Sequence, residues 1–497
     1  MRYFVIVLFF LCISLNVSAL DGTVSPQLQH KGMKYEKGTI VPYSYYLSPG
    51  ARADSCAVYV LLELDVNFSS VLEPLFKEKV IPEGIVLYVY PGTLYSTMSG
   101  NPEQKRWLRA EEFDQNGPEF VNLIVEEILP SAAAEAGIVV SRNPDRHFIH
   151  GGSSGGYLTW NALWYRNDFF HRGFLSSPTF SAMRGGEEPM VLVRKTEPRP
   201  IRAYITSGTI EPDYFFGDSY YVACNAADAL HYAGYDVEFE LYAQGTHCFN
   251  RYDAETWRKV MKWVFEPEKV VVPRRSVRFS SLVPDGSVWQ DAGLVNLPIH
   301  TVSRNSRAVY EMKRGKLKIK SLVNRKTQVL DLDNVSSIAF SSDLWRLYVA
   351  DVSRRFIYAY SLDSFGLPVS KYALAPLHLP HDCRNIGGKD LCVSSDDRVF
   401  VATELGVQSI CSFGLTDIIL PLPQDAPADA VWLADGWLYA RSVDGKVYKR
   451  TVKTTAHDGK TSSTPSEQNY ADGFDYSRPH LENEFNRYQK GEVLKAY

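Results

Sequence analysis

Arg146-His147-Phe148-Ile149-His150-Gly151-Gly152-Ser153-Ser154-Gly155-Gly156-Tyr157-Leu158 decides how the first half of the chain is read. A short apolar run stops abruptly in small residues, and a helix-compatible run over 157–165 follows. The expected geometry is strand, sharp turn, helix, with a serine at the apex pushed out of the sheet where a base can reach its hydroxyl. The glycines remove Cβ atoms that would collide where the helix crosses the strand. The pattern G-x-S-x-G fits two frames, one making Ser153 the nucleophile and the other Ser154. Ser153 is preferred, because Gly155 and Gly156 then both follow it, where the new helix lies closest to the strand. A plain Gly/Ser loop is the competing reading. Against it stand the strand-to-helix context and an acid and a histidine that follow in a usable order.

The flanking segments set the fold class. Upstream, 39–47 and 57–64 read as strands, and 71–79 as an amphipathic helix with Pro74 expected in its first turn. The run 84–92, bounded by Pro82 and Gly92, is apolar throughout, as in a strand buried on both faces of a parallel sheet. Residues 119–130 have helical spacing. Downstream, 201–205 reads as a strand, 219–232 as a helix stopped by Gly234, 237–242 as a strand, and 253–264 as a helix capped by Asp253. Strands alternating with helices predict an α/β domain, a mostly parallel sheet covered by helices.

Two loops follow strands after the elbow. The strand 201–205 runs into Thr206-Ser207-Gly208-Thr209-Ile210-Glu211-Pro212-Asp213, which offers Glu211 or Asp213 as an acid; Asp218 is expected to start the helix at Ser219. The strand 237–242 runs into Gln244-Gly245-Thr246-His247-Cys248, so His247 is the candidate base. A hydroxyl becomes a good nucleophile when a base takes its proton and a carboxylate orients that base. His150, just before the elbow, reads as a packed strand residue. An oxyanion hole is expected from the N–H of Ser154 plus one near Gly92 or Thr93, after the strand containing Val86.

With 497 residues the chain has room for two or three domains, and a formal charge of -4 argues against nucleic acid as a partner. Lys316, Lys318 and Lys320 alternate as a solvated strand face would. Met1-Arg2, an apolar run over 3–15 and Val17-Ser18-Ala19 read as a cleaved secretory signal over 1–19, too short to span a bilayer. The mature chain is therefore expected to be exported, periplasmic or extracellular, with no membrane span. Its six remaining cysteines are scattered without C-x-x-C, which argues against zinc and leaves any pairing unread.

Composition breaks at 266–273. Beyond it, Leu347-Tyr348-Val349-Ala350 recurs as Val399-Phe400-Val401-Ala402 and Leu438-Tyr439-Ala440, each after an acidic turn and before another strand. Repeats about 40–50 residues apart predict an all-β, propeller-like region over 268–455. A polar tail follows over 456–497, in which 481–496 is able to dock locally.

The segment 38–267 resembles the enterochelin-esterase-like family of α/β-hydrolases, related to feruloyl and acetyl-xylan esterases. The matching stretches are Val89-Tyr90-Pro91-Gly92, Glu112-Phe113-Asp114, Glu126-Glu127-Ile128-Leu129-Pro130, Gly151-Gly152-Ser153-Ser154-Gly155-Gly156, Arg184-Gly185-Gly186, Ala233-Gly234-Tyr235-Asp236 and Gly245-Thr246-His247. The resemblance implies an esterase domain over 20–267 with Ser153, His247 and an acid at the Glu211 position, where Ser207 replaces an aspartate of the family pattern. The second half resembles gluconolactonase-type propellers, but Ser336 and Lys389 stand where that family has metal ligands. A charged lysine does not ligate a hard cation, so an incomplete, metal-free module is expected. Together these readings imply a secreted serine esterase with no cofactor, acting on a small-molecule or glycan ester, with its oligomeric state open. The alternative is an impaired esterase-like protein that binds a glycan or other ligand.

Overall fold

A computed structural model describes residues 23–24, 28–30, 39–51, 55–95, 105–249, 251–293, 295, 302–381, 383–456 and 494–495. The signal peptide expected over 1–19 and most of the polar tail lie outside the described residues.

The first half is built on one large sheet. Its central strands run in the order Asp236–Thr246, Arg202–Ile210, Arg172–Ser176, His147–Gly152, Ala57–Leu62, Gly84–Val89 and Thr39–Leu47. All neighbours in that order are parallel except the last pair. Side-chain alternation sorts each strand between two helical layers. Val58, Val60, Ile149, Leu175, Ala203 and Phe239 face the helices Ser154–Tyr165 and Ser219–Tyr232 in one core. Tyr59, Leu61, Phe148, Phe174 and Tyr204 share the other core with Leu72 and Phe76 of Ser69–Lys77 and with Trp257 and Met261 of Ala254–Phe265. Both faces are covered, so the strands read as continuous apolar runs rather than alternating ones.

Two expectations need correction, and one strand was not expected. Pro74 lies beyond the first turn of its helix, which spans Ser69–Lys77. The helix expected over 119–130 continues to Ala136, with a wide turn at Ile124–Ile128. Leu129 N–H reaches Ile124 O there, and Pro130, which has no N–H to donate, follows that widening. The strand Arg172–Ser176 was absent from the sequence reading. Its Arg172 is fully buried because the guanidinium donates to the carbonyls of Asp145, Val264, Pro267 and Glu268.

Among the described residues the second half holds four four-stranded antiparallel sheets. The first contains Ala308–Lys313 and Lys316–Ser321, the second Val335–Phe340 and Arg346–Asp351, the third Val399–Thr403 and Gly406–Ile410. The fourth joins Ala428–Ala434, Trp437–Ser442 and Val447–Thr451 to Gln290–Asp291, from the start of this half. Three apolar clusters lie between successive sheets. The repeated strands of the sequence fall in equivalent places, and Lys316, Lys318 and Lys320 point to solvent while Leu317 and Ile319 are buried. Arg450, fully buried, pairs with Glu197 of the first half at 2.8 Å, and Arg199 forks onto Asp425 at 2.7 and 2.9 Å. Among the described residues no helix is long and apolar enough to cross a membrane.

Candidate active site

Parallel strands end at one rim, and their register lines up the residues just beyond each strand. Gly152 pairs with Ser176 and Ser176 with Thr206, so the next residues, Ser153, Ser177 and Ser207, stand in a row. Ser153 N–H donates to Ser176 O at 2.9 Å and Ser177 N–H to Thr206 O at 2.7 Å. Ser153 has φ 59° and ψ -125°, a conformation costly for any residue with a Cβ. The chain must reverse there from strand to helix. A Cβ on Gly151 would strike the backbone of Gly155, so the crossing requires glycine at that position.

Ser154 opens the helix Ser154–Tyr165 and is 2 % exposed. Its hydroxyl accepts from Arg109 Nη1 at 2.7 Å and hydrogen-bonds to Asp114. A hydroxyl engaged in this way is turned inward, so of the two frames only Ser153 carries its side chain at the bend. Ser153 Oγ lies 3.4 Å from Thr179 Oγ1.

The acid loop and the histidine loop meet through a bulge. Gly208 pairs with Tyr242, but Ile210 pairs with Thr246, so the histidine strand carries two extra residues and arches outward. Glu211 Oε2 accepts from His247 Nδ1 at 2.5 Å. Its other oxygen accepts from Ser177 Oγ at 2.5 Å, Gly208 N at 3.1 Å and Ser207 Oγ at 3.3 Å. The Glu211 side chain is completely buried, and although burial opposes ionisation, these donors hold its carboxyl below the usual carboxylate range. Asp213 is exposed on a two-stranded ribbon opposite Asp218, which caps the following helix by accepting from Tyr220 N and Tyr221 N. Of the two candidate acids, Glu211 is the one joined to the histidine.

Cys248 N–H donates to Ser177 Oγ at 2.9 Å, and a Cβ on Gly152 would lie 2.9 Å from Cys248 Sγ. The histidine loop therefore packs against the elbow. Among the described residues no hydrogen bond joins His247 to Ser153. Burial lowers the His247 pKa, but the adjacent Cys248 sulfur and Glu211 outweigh it and raise it to about 10. His150 is fully buried, stacked on Phe174, with burial pushing its pKa well down, as a packing residue would show.

The Gly92 assignment is overturned. Its N–H is donated to Glu112 Oε2 at 2.6 Å. The strand before it, Gly84–Val89, is also one place too far out, because Ala57–Leu62 is the strand beside the elbow. Thr93 lies in a short strand between Thr39–Leu47 and Lys105–Trp107. The loop that adjoins the elbow is 63–65, entered through Glu63 at φ 55°. Sequence reasoning also missed Ser177, Glu63, Arg109 and Arg251. Arg251 Nη2 donates to Leu62 O at 2.7 Å, beside the elbow. The available signal for Ser177 was Leu175-Ser176-Ser177-Pro178, a strand end facing the same rim. In the second half, Lys389 pairs with Glu404 at 2.7 Å and Ser336 Oγ donates to Gly388 O, so both residues that replace the lactonase ligands serve internal contacts.

This strand order, with a serine elbow on a central strand and the acid and histidine on two later strands, is that of the α/β-hydrolase fold. No family model matches the chain, and no curated protein matches it. Among solved structures it is similar to the BES protein from Bacillus cereus, at 16% identity and TM-score 0.36 over 49% of this chain and 94% of that one. A ferulic acid esterase matches at 14% and 0.35, over 50% and 98%. The enterobactin esterase FES from Shigella flexneri matches at 14% and 0.38, over 49% and 59%.

Proposed function

We propose that this chain is an exported serine esterase that cleaves a carboxylic ester through an acyl-enzyme. The reading rests on one observation above all: a fully buried glutamate hydrogen-bonded at 2.5 Å to the ring of His247, in loops packed on a serine elbow. In the proposed mechanism, a rotation of the Ser153 side chain brings Oγ to His247 Nε2. Oγ attacks the ester carbonyl carbon and its proton passes to Nε2. Glu211 fixes the tautomer through Nδ1 and stabilises the imidazolium. Ser154 N–H and a backbone donor of loop 63–65 hold the oxyanion. Collapse expels the alcohol, which takes the proton from His247, and water activated by the same ring releases the acid.

Aromatic side chains stand in the loops that carry the acid and the histidine. Phe215 is wholly exposed, and Phe249 and Tyr252 are more than half exposed. Such rings suit a substrate with a planar or sugar-ring face, consistent with an acylated or feruloylated glycan or a siderophore ester. A second reading, a ligand-binding protein that has lost turnover, draws on the Thr179 contact of Ser153 in place of one to His247. A fluorophosphonate probe and a panel of ester substrates separate the two. The esterase reading expects labelling and hydrolysis that both disappear in Ser153→Ala. Wild-type protein that neither labels nor turns over any ester favours the binding protein.

A further inference from the structure

Helix Arg109–Phe113 approaches the elbow from the side of strand Ala57–Leu62, opposite the acid and histidine loops. Its first residue sends a fork into the protein rather than outward. Arg109 Nε and Nη2 donate to the two oxygens of Glu63 at 2.6 and 2.9 Å, while Nη1 donates to Ser154 Oγ at 2.7 Å. One rigid, planar group thus joins the residue after strand Ala57–Leu62 to the residue after the nucleophile. The residue just past the other end of this helix, Asp114, which is 3 % exposed, holds Ser154 a second time. The rings of Trp107 and Phe113 lie 5.9 and 5.6 Å from the guanidinium carbon. Burial disfavours the charge on Arg109, but Glu63 more than restores it, so the fork stays cationic.

We infer that Arg109 is a positioning residue that sets the spacing between the two backbone segments of the oxyanion hole, acting through Glu63 and Ser154 without touching substrate. This rests on the serine-esterase reading. The physical need is plain: donors stabilise an oxyanion only when fixed at its position beforehand, and here they come from two loops that no backbone ladder joins at the rim. Ser154 contributes its N–H, and its side chain is the handle by which the fork holds it. Lysine would keep the charge but has one nitrogen, and it does not span a carboxylate and a hydroxyl in a fixed plane.

The test uses the full chain with p-nitrophenyl acetate and a boronic acid inhibitor that mimics the tetrahedral state. Arg109→Ala is expected to lower kcat by about 10- to 100-fold with KM changed by about twofold or less, and to weaken boronate inhibition in proportion to kcat/KM. Arg109→Lys falls between Arg109→Ala and wild type. Glu63→Gln lowers kcat in the same sense, and combining it with Arg109→Ala costs little more than Arg109→Ala alone, because both cut one linkage. Arg258→Ala, which removes a surface pair with Glu78, sets the baseline for losing an arginine. If Arg109→Ala does not fold, Arg109→Lys and Glu63→Gln carry the same readouts. Unchanged kcat, a rise in KM alone, or additive losses for the pair overturn the inference. Wild-type protein that neither hydrolyses nor labels removes the esterase reading itself, whereas an active wild type with an equally active Arg109→Ala removes only this one.

Discussion

Cys248 is the neighbour through which the base itself is tuned. Its sulfur lies beside the His247 ring, and together with Glu211 it raises the imidazole to about 10 against the opposing effect of burial. A general base works in its neutral form, so kcat/KM is expected to climb as pH rises through that value, on a limb well above the ordinary histidine pKa of about 6.5. The same sign applies to stability: the charged pair contributes below the unfolded histidine pKa and is lost as pH rises through about 10. Cys248→Ala removes one of the two raising groups and should move the activity limb downward. A pH–rate profile of wild type and Cys248→Ala checks this, and a limb near 6.5 that the substitution leaves in place contradicts it. Much at this scale was visible in the sequence. Chain order and strand ends point to Ser153, His247 and the loop of Glu211 and Asp213, but which of the two acids meets the histidine depends on an arch in the histidine strand that spacing does not encode. Arg109, Glu63 and Ser177 escaped because each acts through a partner distant in sequence, and an arginine in a charged stretch reads as solvated.

At the scale of the elements, the elbow is where sequence and geometry constrain each other most. Two neighbouring glycines give different expected outcomes. At Gly151 a Cβ meets backbone atoms of Gly155, which have nowhere to go, so Gly151→Ala should prevent a stable strand–helix crossing and give little soluble protein. At Gly152 the nearest atoms are Cys248 Sγ at 2.9 Å and Arg251 Cδ and Nε at 3.2 Å, all side-chain atoms. Gly152→Ala should therefore fold, displace the histidine loop and lose most activity; thermal melts beside fluorophosphonate labelling rates distinguish the two variants. The strand Arg172–Ser176 went unread because Arg172-Gly173 looks like a breaker, and only the fold supplies the four carbonyls that let this arginine lie buried. The loop beside the elbow escaped for a related reason. Two consecutive apolar runs, 57–62 and 84–89, are equally good central strands by composition, and pairing alone decides that the earlier one adjoins the elbow.

A partly buried charge cluster joins the two halves among the described residues. Glu197 receives both Arg450 and Arg275, and Arg450 has no exposed surface. Glu197→Ala leaves a buried guanidinium without its anion and is expected to cost about 3–5 kcal/mol. Chemical denaturation would show the loss, and a stability within about 0.5 kcal/mol of wild type, the range of ordinary surface changes, would count against this role. The division into an α/β half and a repeated all-β half was legible from periodicity alone, since the repeats 347–350, 399–402 and 438–440 fall on equivalent strands. How the last sheet is finished was not, because Gln290–Asp291 is too short to register as a strand by itself. That pairing has a kinetic corollary. A dipeptide made early must wait for Val447–Thr451 until three intervening sheets have been made, so an emerging chain passes through a stage in which its final sheet is ragged on one side. Protease or chaperone encounters during maturation should concentrate at that unfinished seam, and an endopeptidase nick in the link behind Asp291 should loosen the far end of the array before the near one.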